Sequence, residues 1–214
     1  MDKLTNVAPF IGIVRNRLAT DGVGVTTLAA FWGCSLSCSY CLNPQSLLEN
    51  SVTRVFTVEE LYDYVKIDEL YFLATGGGIT FGGGEPCLYP YFINEFRTYC
   101  GQDWNITIET ALNVPNDNIK TLYSSVNSYI IDIKDINNEI YKHYTTKDNS
   151  LTITNLKWLI ENGKANNIRV RVPLIPNFNT KKDIKNTISA LKDMGIDDIE
   201  VFSYTLKHKK DESG

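Results

Sequence analysis

The sequence lacks any long apolar run and any excess of positive charge. No stretch approaches the about 18 uninterrupted apolar residues of a transmembrane helix. The first residues, with Asp2 and Lys3 among them, lack the apolar core of a signal peptide. The formal net charge is −4 and no basic stripe is present, which argues against a nucleic-acid partner. We therefore expect a cytoplasmic protein with neither a membrane nor a nucleic acid as its partner.

Cysteine and histidine are also scarce. The five cysteines are an odd number with three of them clustered, unlike the disulfide framework of a small secreted protein. This pattern favours a reducing compartment. The two histidines, His143 and His208, are isolated in the sequence, so we expect neither of them to bind a metal.

The clustered cysteines are Cys34, Cys38 and Cys41, in the spacing C-x3-C-x2-C. One short loop thus supplies three thiolates and no fourth. A structural zinc ion and a closed iron–sulfur cube each take four protein ligands. The spacing predicts a 4Fe–4S cluster whose fourth iron is free to bind a reactant, and hence an enzyme. A zinc site completed by Cys87 or Cys100 is the alternative.

Short β-rich runs alternate with amphipathic segments along the chain, which predicts an α/β fold with a parallel sheet. Thr57 with Glu60 has the spacing of a helix capping box, and Thr180 precedes a second helical pattern. About six β/α units of this kind close into a barrel or form an open, curved part of one. We take the open, partial barrel as the prediction, with residues 1–214 as a single domain. The predicted strands are 23–31, 79–81, 106–108, 129–133, 168–174 and 199–202.

Polar residues follow or end these strands. Active sites of parallel α/β folds lie at the carboxyl ends of the strands. Because polar residues occur at this position in five of the strands, we predict a site at the carboxyl ends. Each pair taken alone has an ordinary structural explanation, such as a salt bridge between Asp132 and Lys134. The candidates are the three cysteines, Gly83, Gly84, Glu85, Glu109, Thr110, Asp132, Lys134 and Arg171.

The glycine-rich segment 76–86 is a second signal. It has neither the G-x-G-x-x-G spacing of a dinucleotide site nor the Gly-Lys-Ser/Thr ending of a P-loop. Glycines leave the backbone bare, so a ligand can approach its amides and carbonyls closely. A bare backbone that ends in the carboxylate of Glu85 suits a ligand with an ammonium group.

Together these residues resemble the radical S-adenosylmethionine enzymes, and more narrowly the activating enzymes of glycyl-radical enzymes, of the pyruvate formate-lyase activating type. The cluster motif alone marks a superfamily with many chemistries. The Asn-Pro, Gly-Gly-Glu-Pro and Asp-Ile-Lys segments narrow the resemblance. The matching segments are 21–27, 33–46 with Cys41-Leu42-Asn43-Pro44, 76–86, 131–134, 144–145 and 172–176.

The resemblance implies an anaerobic oxidoreductase with a 4Fe–4S cluster and S-adenosyl-L-methionine as cofactors. Reductive cleavage of S-adenosylmethionine would give a 5′-deoxyadenosyl radical, which would take a hydrogen atom from a glycine of a partner glycyl-radical enzyme. A flavodoxin or a ferredoxin would supply the electron. Two alternatives stay open: a radical S-adenosylmethionine synthase that acts on a small molecule, and a non-catalytic iron–sulfur or zinc module.

The resemblance also implies roles for single residues. Cys34, Cys38 and Cys41 would bind three irons as the catalytic centre, while the methionine amino and carboxylate groups chelate the fourth. The ring and backbone of Tyr40 would face the adenine. Gly83, Gly84 and Glu85 would receive the methionine ammonium group. The other implied cofactor contacts are Asp132, Ile133, Lys134 and Arg171. A monovalent cation would be held by Glu109, Thr110 and Asp132. Glu109 therefore also belongs to the implied cofactor site.

The chain departs from the family pattern at several positions. Leu42 stands where the family has a histidine after the third cysteine, and Val23 and Thr26 replace its proline and arginine. Thr205 aligns with a cofactor-contacting histidine of the pyruvate formate-lyase type, which puts that contact in doubt. No second run of cysteines is present, so we expect no ferredoxin-like insert.

Overall fold

The computed structural model of the protein describes residues 7–204. Within that range the strands are β1 (Val7–Leu18), β2 (Val25–Phe31), β3 (Arg54–Thr57), β4 (Gly78–Gly83), β5 (Asn105–Thr110), β6 (Ser128–Asp132), β7 (Ile168–Leu174) and β8 (Ile199–Ser203). The α-helices are α1 (Val58–Val65), α2 (Glu69–Thr75), α3 (Pro90–Cys100), α4 (Asn116–Leu122), α5 (Asn138–Thr145), α6 (Ser150–Glu161) and α7 (Lys181–Asp193). None of the helices in this part of the chain is both long enough and apolar enough to cross a membrane.

All eight strands form one sheet in the order β3-β1-β2-β4-β5-β6-β7-β8. Neighbouring strands from β2 through β8 pair in parallel, whereas β1 pairs antiparallel with both β2 and β3. The two edge strands, β3 and β8, do not pair with each other, so the sheet is an open partial barrel. The prediction of an open parallel α/β sheet with six parallel strands is confirmed.

Two parts of the sheet differ from the prediction. Strands β1 and β3 were not predicted, and β2 begins at Val25, two residues later than expected. Gly22 and Gly24 have φ angles of 139° and 66°, which L-amino acids rarely adopt, so the chain turns there instead of extending. This turn joins β1 to β2.

The outer face of the sheet carries an aromatic core against the helices. Phe31 lies at its centre, with its ring stacked on Tyr89 at 4.6 Å between centroids and edge-on to Phe92 at 5.8 Å. Helix α1 begins at the predicted capping box, in which Thr57 and Glu60 each accept a hydrogen bond from the other's backbone. Leu61 and Val65 of that helix are fully buried. Because the apolar side chains are buried on this outer face, the polar side chains of the strands lie on the concave face.

The concave face of the sheet is polar and strongly curved. Arg171 of β7 donates to Glu109 of β5 at 2.6 Å between Nη1 and Oε1, and therefore reaches across the intervening strand β6. Thr107 and Ser128 hydroxyls pair on the same face at 2.9 Å. Side chains of alternating residues point to one face of a strand, which explains why these positions share the interior.

The β1–β2 turn, residues 19–24, closes the amino-terminal end of this interior. The carbonyl of Thr20 accepts a hydrogen bond from Arg171 Nη2 at 2.7 Å. The carbonyl of Asp21 accepts one from the Thr80 hydroxyl, and the Asp21 carboxylate pairs with Arg17. A ligand therefore enters the barrel from the carboxyl ends of the strands.

Candidate functional site

A pocket lies at the carboxyl ends of the parallel strands. It brings together most of the candidate residues: Cys34, Cys38, Cys41, Gly83, Gly84, Glu85, Glu109, Thr110, Asp132 and Lys134.

The cysteine loop begins where β2 ends, and the segment after β4 holds its first turn. Gly84 N donates to Phe31 O at 2.9 Å, and Glu85 N donates to Gly33 O at 2.8 Å. These bonds continue the parallel pairing of β2 with β4 beyond the strands. A Cβ atom on Gly84 would lie 1.9 Å from the Gly33 carbonyl oxygen, so only glycine fits.

The far side of the cysteine loop rests on the carboxyl end of α5. The amides of Ser37 and Ser39 donate to the carbonyls of Thr145 and Tyr144 at 3.1 and 3.0 Å. The last carbonyls of a helix have no partner within the helix, and here the loop supplies one. The Tyr144-Thr145 segment singled out in the sequence therefore positions the cysteine loop.

Two of the pocket thiols, those of Cys34 and Cys38, have raised pKa values. Burial, followed by the nearby Glu85 carboxylate, raises the pKa of Cys34 to about 12. Burial also raises the pKa of Cys38 to about 11, although Lys134 opposes the shift. Since metals bind thiolates, loading of this site would release protons.

The other two cysteines lie apart from the pocket lining. Both Cys87 and Cys100 are buried in the aromatic core, as expected from the sequence. The Cys87 thiol contacts the Thr110 hydroxyl at 3.5 Å, and Cys100 lies beside Arg97. Residues 7–204 contain no group of three or more His, Cys, Asp or Glu side chains arranged to hold a single metal ion. This arrangement does not favour a zinc site completed by either residue.

The carboxylate of Glu85 connects β4 to β5 from within the protein. Its Oε1 accepts hydrogen bonds from Cys87 N at 3.1 Å and Thr110 Oγ1 at 2.6 Å, and its Oε2 accepts one from Ala111 N at 3.0 Å. Burial raises its pKa, although these bonds act in the opposite direction. A carboxylate has about four lone-pair positions, so one position remains for a ligand.

Gly83 presents bare backbone to the same pocket. Its φ angle is 94°, and a Cβ atom there would lie 2.7 Å from the Cα of Ala30. Its carbonyl accepts a hydrogen bond from Asn43 Nδ2 at 3.1 Å, which ties the end of the cysteine loop to β4. Glycine is thus required here by close packing against Ala30 of β2, and Gly83 itself lines the pocket.

A buried ion pair forms the floor of the pocket. Lys134 Nζ and Asp132 Oδ2 are 2.8 Å apart, and Lys134 is 7% exposed. Burial lowers the pKa of Lys134, but Asp132, Tyr204 and Cys38 outweigh it and hold that pKa well above its usual value. The other carboxylate oxygen, Asp132 Oδ1, is buried and has no hydrogen-bond partner. An unpaired buried oxygen is costly, so it calls for a ligand.

Glu109 lies beside this pair and is oriented by Arg171. Burial and the Asp132 charge raise the pKa of Glu109, while Arg171 and Lys134 lower it. Arg171 also contacts Glu200 at 3.3 Å, so its guanidinium is fully engaged. Arg171 therefore lies outside the pocket lining, beneath the carboxylate that it holds.

Two further candidates also lie outside the pocket lining. The ring of Tyr40 packs edge-on against Phe178 at 5.6 Å, and its hydroxyl accepts a hydrogen bond from Asn177 at 3.3 Å. This contact joins the cysteine loop to the loop after β7. The side chain of Ile133 is fully buried in the core, and its amide donates to the Arg171 carbonyl at 3.0 Å.

Sequence reasoning missed several residues of the pocket. Asn43 and Tyr144 stand in segments that were matched to the family, yet no role was assigned to them, and Tyr204 was not singled out. Leu28 and Ala111 carry no chemical signal, because small and apolar residues occur everywhere in a sheet. Thr205 lies outside the described residues. The full set of additional lining residues is Leu28, Leu36, Leu42, Asn43, Ser46, Ala111, Tyr144 and Tyr204.

The donors of this pocket fit a 4Fe–4S cluster and S-adenosylmethionine. Three thiols share one pocket with no fourth, which leaves one corner of a cube without a protein ligand. The unpaired Asp132 Oδ1 and the bare backbone at Gly83 offer acceptors for an ammonium group. Lys134 provides positive charge beside them.

Comparison with known proteins agrees with this chemistry. Residues 31–188 match the sequence profile of the Radical SAM superfamily. The pyruvate formate-lyase-activating enzyme of Clostridium pasteurianum is 28% identical over 86% of this chain and 77% of its own length. The choline trimethylamine-lyase activating enzyme of Oleidesulfovibrio alaskensis is 25% identical over 76% and 71%. The (2S)-3-sulfopropanediol dehydratase activating enzyme of Klebsiella oxytoca is 31% identical over 66% and 46%.

Solved structures share the fold at low sequence identity. Streptococcus suis SuiB bound to S-adenosylmethionine superposes with a TM-score of 0.64 at 16% identity, covering 82% of this chain. The chain spans 39% of SuiB. The structure of anSMEcpe with bound AdoMet gives a TM-score of 0.55 at 16% identity, covering 85% of this chain and 52% of that protein.

Proposed function

Because the chain belongs to the radical S-adenosylmethionine superfamily, we propose that it is the activating enzyme of a glycyl-radical enzyme. Its cofactors are a 4Fe–4S cluster and S-adenosylmethionine. The observation that supports the narrower function is the similarity to three activating enzymes, each of which aligns over most of this chain. The substrate would be a glycine on a loop of the partner protein.

The chain's own residues would hold the two cofactors together. Cys34, Cys38 and Cys41 bind three irons and leave the fourth to S-adenosylmethionine. When bound, the reduced cluster supplies the electron that cleaves S-adenosylmethionine. Holding both reactants in one pocket makes that transfer an intramolecular event, which removes the entropic cost of an encounter.

The polar floor of the pocket would position the methionine group. Asp132 Oδ1 and the Gly83 carbonyl would accept hydrogen bonds from its amino group, and Lys134 lies close enough to Asp132 to neutralise that carboxylate. Glu85 offers its one remaining lone-pair position. The contacts of Arg171 favour an indirect role in cofactor binding, in which Arg171 orients the Glu109 carboxylate.

A monovalent cation in this pocket would be bound chiefly by Asp132 and Glu109. The Thr110 hydroxyl already donates to Glu85 at 2.6 Å and accepts from Leu112 N at 2.8 Å. It therefore has less capacity for a cation than the two carboxylates have. Hard oxygen ligands such as these suit a cation of this kind.

The partner's glycine would enter at the rim of the pocket. Leu42 is 75% exposed there and also lines the pocket, at the position where the family has a histidine. Tyr40 would face the adenine from the loop that carries the cysteines, and the Ile133 backbone would lie beside it. A flavodoxin or ferredoxin would reduce the cluster, and the reaction would take place in the cytoplasm under anaerobic conditions.

The test is to mix the anaerobically reconstituted protein with S-adenosylmethionine, a reductant and a candidate glycyl-radical protein from the same organism. Electron paramagnetic resonance should then show a glycyl radical on the partner. The control is Cys38→Ser, which should abolish the signal because it removes one iron ligand. Cleavage of S-adenosylmethionine without any glycyl radical would contradict the activating function and would favour a small-molecule substrate.

A further inference from the structure

Ser46 carries a buried hydroxyl that the protein leaves without a partner. The residue is 1% exposed, and its Oγ atom makes no hydrogen bond within the described structure. Ser46 nevertheless lines the carboxyl-end pocket together with the three cysteines. A buried hydroxyl without a partner is destabilising, so the site is arranged for a group that the hydroxyl can bind.

The backbone of Ser46 is held beside the residue that precedes the first cysteine. Ser46 follows Cys41 by five residues. Its carbonyl accepts a hydrogen bond at 2.8 Å from the amide of Gly33, the residue directly before Cys34. Its own amide donates to the Asn43 carbonyl at 2.9 Å. Two backbone hydrogen bonds therefore fix Ser46 against the start of the cysteine loop.

The functional roles proposed above do not use this hydroxyl. Asp132 and the Gly83 backbone lie on the strands that follow, whereas Ser46 is tied to the residue that precedes Cys34. On this side of the pocket, the acceptors that a loaded site would offer include the Cys34 thiolate and a sulfide of the cluster. Hydrogen bonds to these sulfurs are one of the factors that set the reduction potential of an iron–sulfur cluster.

We propose that the Ser46 hydroxyl donates a hydrogen bond to a sulfur of the bound cluster on its Cys34 side and thereby raises the reduction potential of the cluster. The reduced cluster carries one more negative charge, so its sulfurs accept a hydrogen bond more strongly. The bond therefore stabilises the reduced state more than the oxidised state. This inference concerns the cluster alone and does not depend on the identity of the partner protein.

The experiment is a potentiometric titration of reconstituted wild type and Ser46→Ala, followed by absorbance and electron paramagnetic resonance, in the absence of S-adenosylmethionine. At a fixed solution potential, the ratio of reduced to oxidised cluster should fall about three- to tenfold in the variant, as expected for one hydrogen bond. A tenfold fall corresponds to a shift of about 59 mV for a one-electron couple. Ser46→Thr keeps the hydroxyl and should restore most of the potential.

A second measurement separates this role from a structural one. Because the hydroxyl has no partner in the protein, Ser46→Ala should leave the unfolding temperature of the cluster-free chain unchanged or raise it. The matched control is Ser35→Ala, which removes another buried, unpartnered hydroxyl of the same loop that does not line the pocket. This variant should retain the wild-type potential.

Three results would overturn the inference. The first is an unchanged potential in Ser46→Ala at full iron content. The second is an equal shift in Ser35→Ala, which would indicate a general effect of the loop. The third is a shift that occurs only when S-adenosylmethionine is present, because the hydroxyl would then contact that cofactor instead of the cluster.

Discussion

Single glycines at the carboxyl-end pocket leave no room for a side chain. A Cβ atom on Gly84 would lie 1.9 Å from a backbone oxygen of Gly33. Backbone cannot move aside as a flexible side chain can, so the bond from Glu85 N to Gly33 O would be lost. The glycine-rich pattern was visible in the sequence, but the reason for each glycine required the position of the neighbouring chain.

Gly84→Ala should therefore disrupt the cysteine loop. We expect a loss of about 1–3 kcal/mol in the free energy of unfolding, as for other overpacked sites, and a reduced iron content after reconstitution. Chemical denaturation and iron analysis measure the two effects. The matched control is Gly12→Ala, since a Cβ atom at Gly12 meets nothing within 4 Å. Equal stability of the two variants would show that the close approach at Gly84 does not matter.

The sequence predicted the residue types of the site better than their contacts. Ten of its candidate positions line one pocket, because the carboxyl ends of parallel strands meet there. The contacts of the Arg171 guanidinium with Glu109, Glu200 and Thr20 were not predicted from the sequence. Such a network depends on the curvature of the sheet, which local sequence does not reveal. Ser46 gave no signal at all, because a serine in a loop is unremarkable.

At the scale of elements, the strands missed by the sequence analysis are those on the antiparallel side of the sheet. The six parallel strands are recognisable because they are apolar and alternate with helices. By contrast, β1 carries register shifts and half-buried residues, and β3 has only four residues. In addition, β3 pairs with β1, from which it is distant in the sequence. Tertiary contacts, and not the local sequence, therefore determine that these two segments form strands.

An ion pair between exposed Arg15 and the buried carboxylate of Asp68 secures β1 to the segment that joins α1 to α2. Arg15 donates to Asp68 at 2.7 and 2.5 Å, and Thr27 of β2 donates to the same carboxylate at 3.0 Å. The hydrogen bond from Arg15 lowers the pKa of Asp68 below its ordinary value of 3.8, and that from Thr27 adds to the effect. The contribution of the ionised carboxylate to stability is thus complete above that ordinary pKa and is lost as the pH falls through the lowered pKa of the folded state.

We therefore predict that Asp68→Asn is less stable than wild type at pH 6. The difference in the free energy of unfolding should stay constant down to about pH 4 and then narrow as the pH falls further, because only wild type titrates. Urea unfolding of the cluster-free proteins at a series of pH values measures this. Asp198→Asn, which removes an exposed pair with Arg169, should show no such difference. A difference in the free energy of unfolding that widens as the pH falls would contradict the role given to Asp68.

At the scale of the whole molecule, the two ends of the partial barrel differ. The β1–β2 turn closes the amino-terminal end through Thr20 and Asp21, whereas the carboxyl end is open above the polar floor of Asp132 and Lys134. The cysteine loop and the loop after β7 meet over this opening through Tyr40 and Asn177. Chemistry is therefore confined to one end. The fold class and this end were predictable from the sequence, since both follow from the β/α alternation.

The central claim is that three cysteines hold a 4Fe–4S cluster whose remaining iron binds S-adenosylmethionine. The most direct test is electron paramagnetic resonance with electron–nuclear double resonance on the anaerobically reconstituted, reduced protein with S-adenosylmethionine labelled at its amino nitrogen. We predict about four irons per chain and a hyperfine coupling between that nitrogen and the cluster. A protein without iron, or a full cluster whose spectrum is unchanged by the labelled cofactor, would contradict the account.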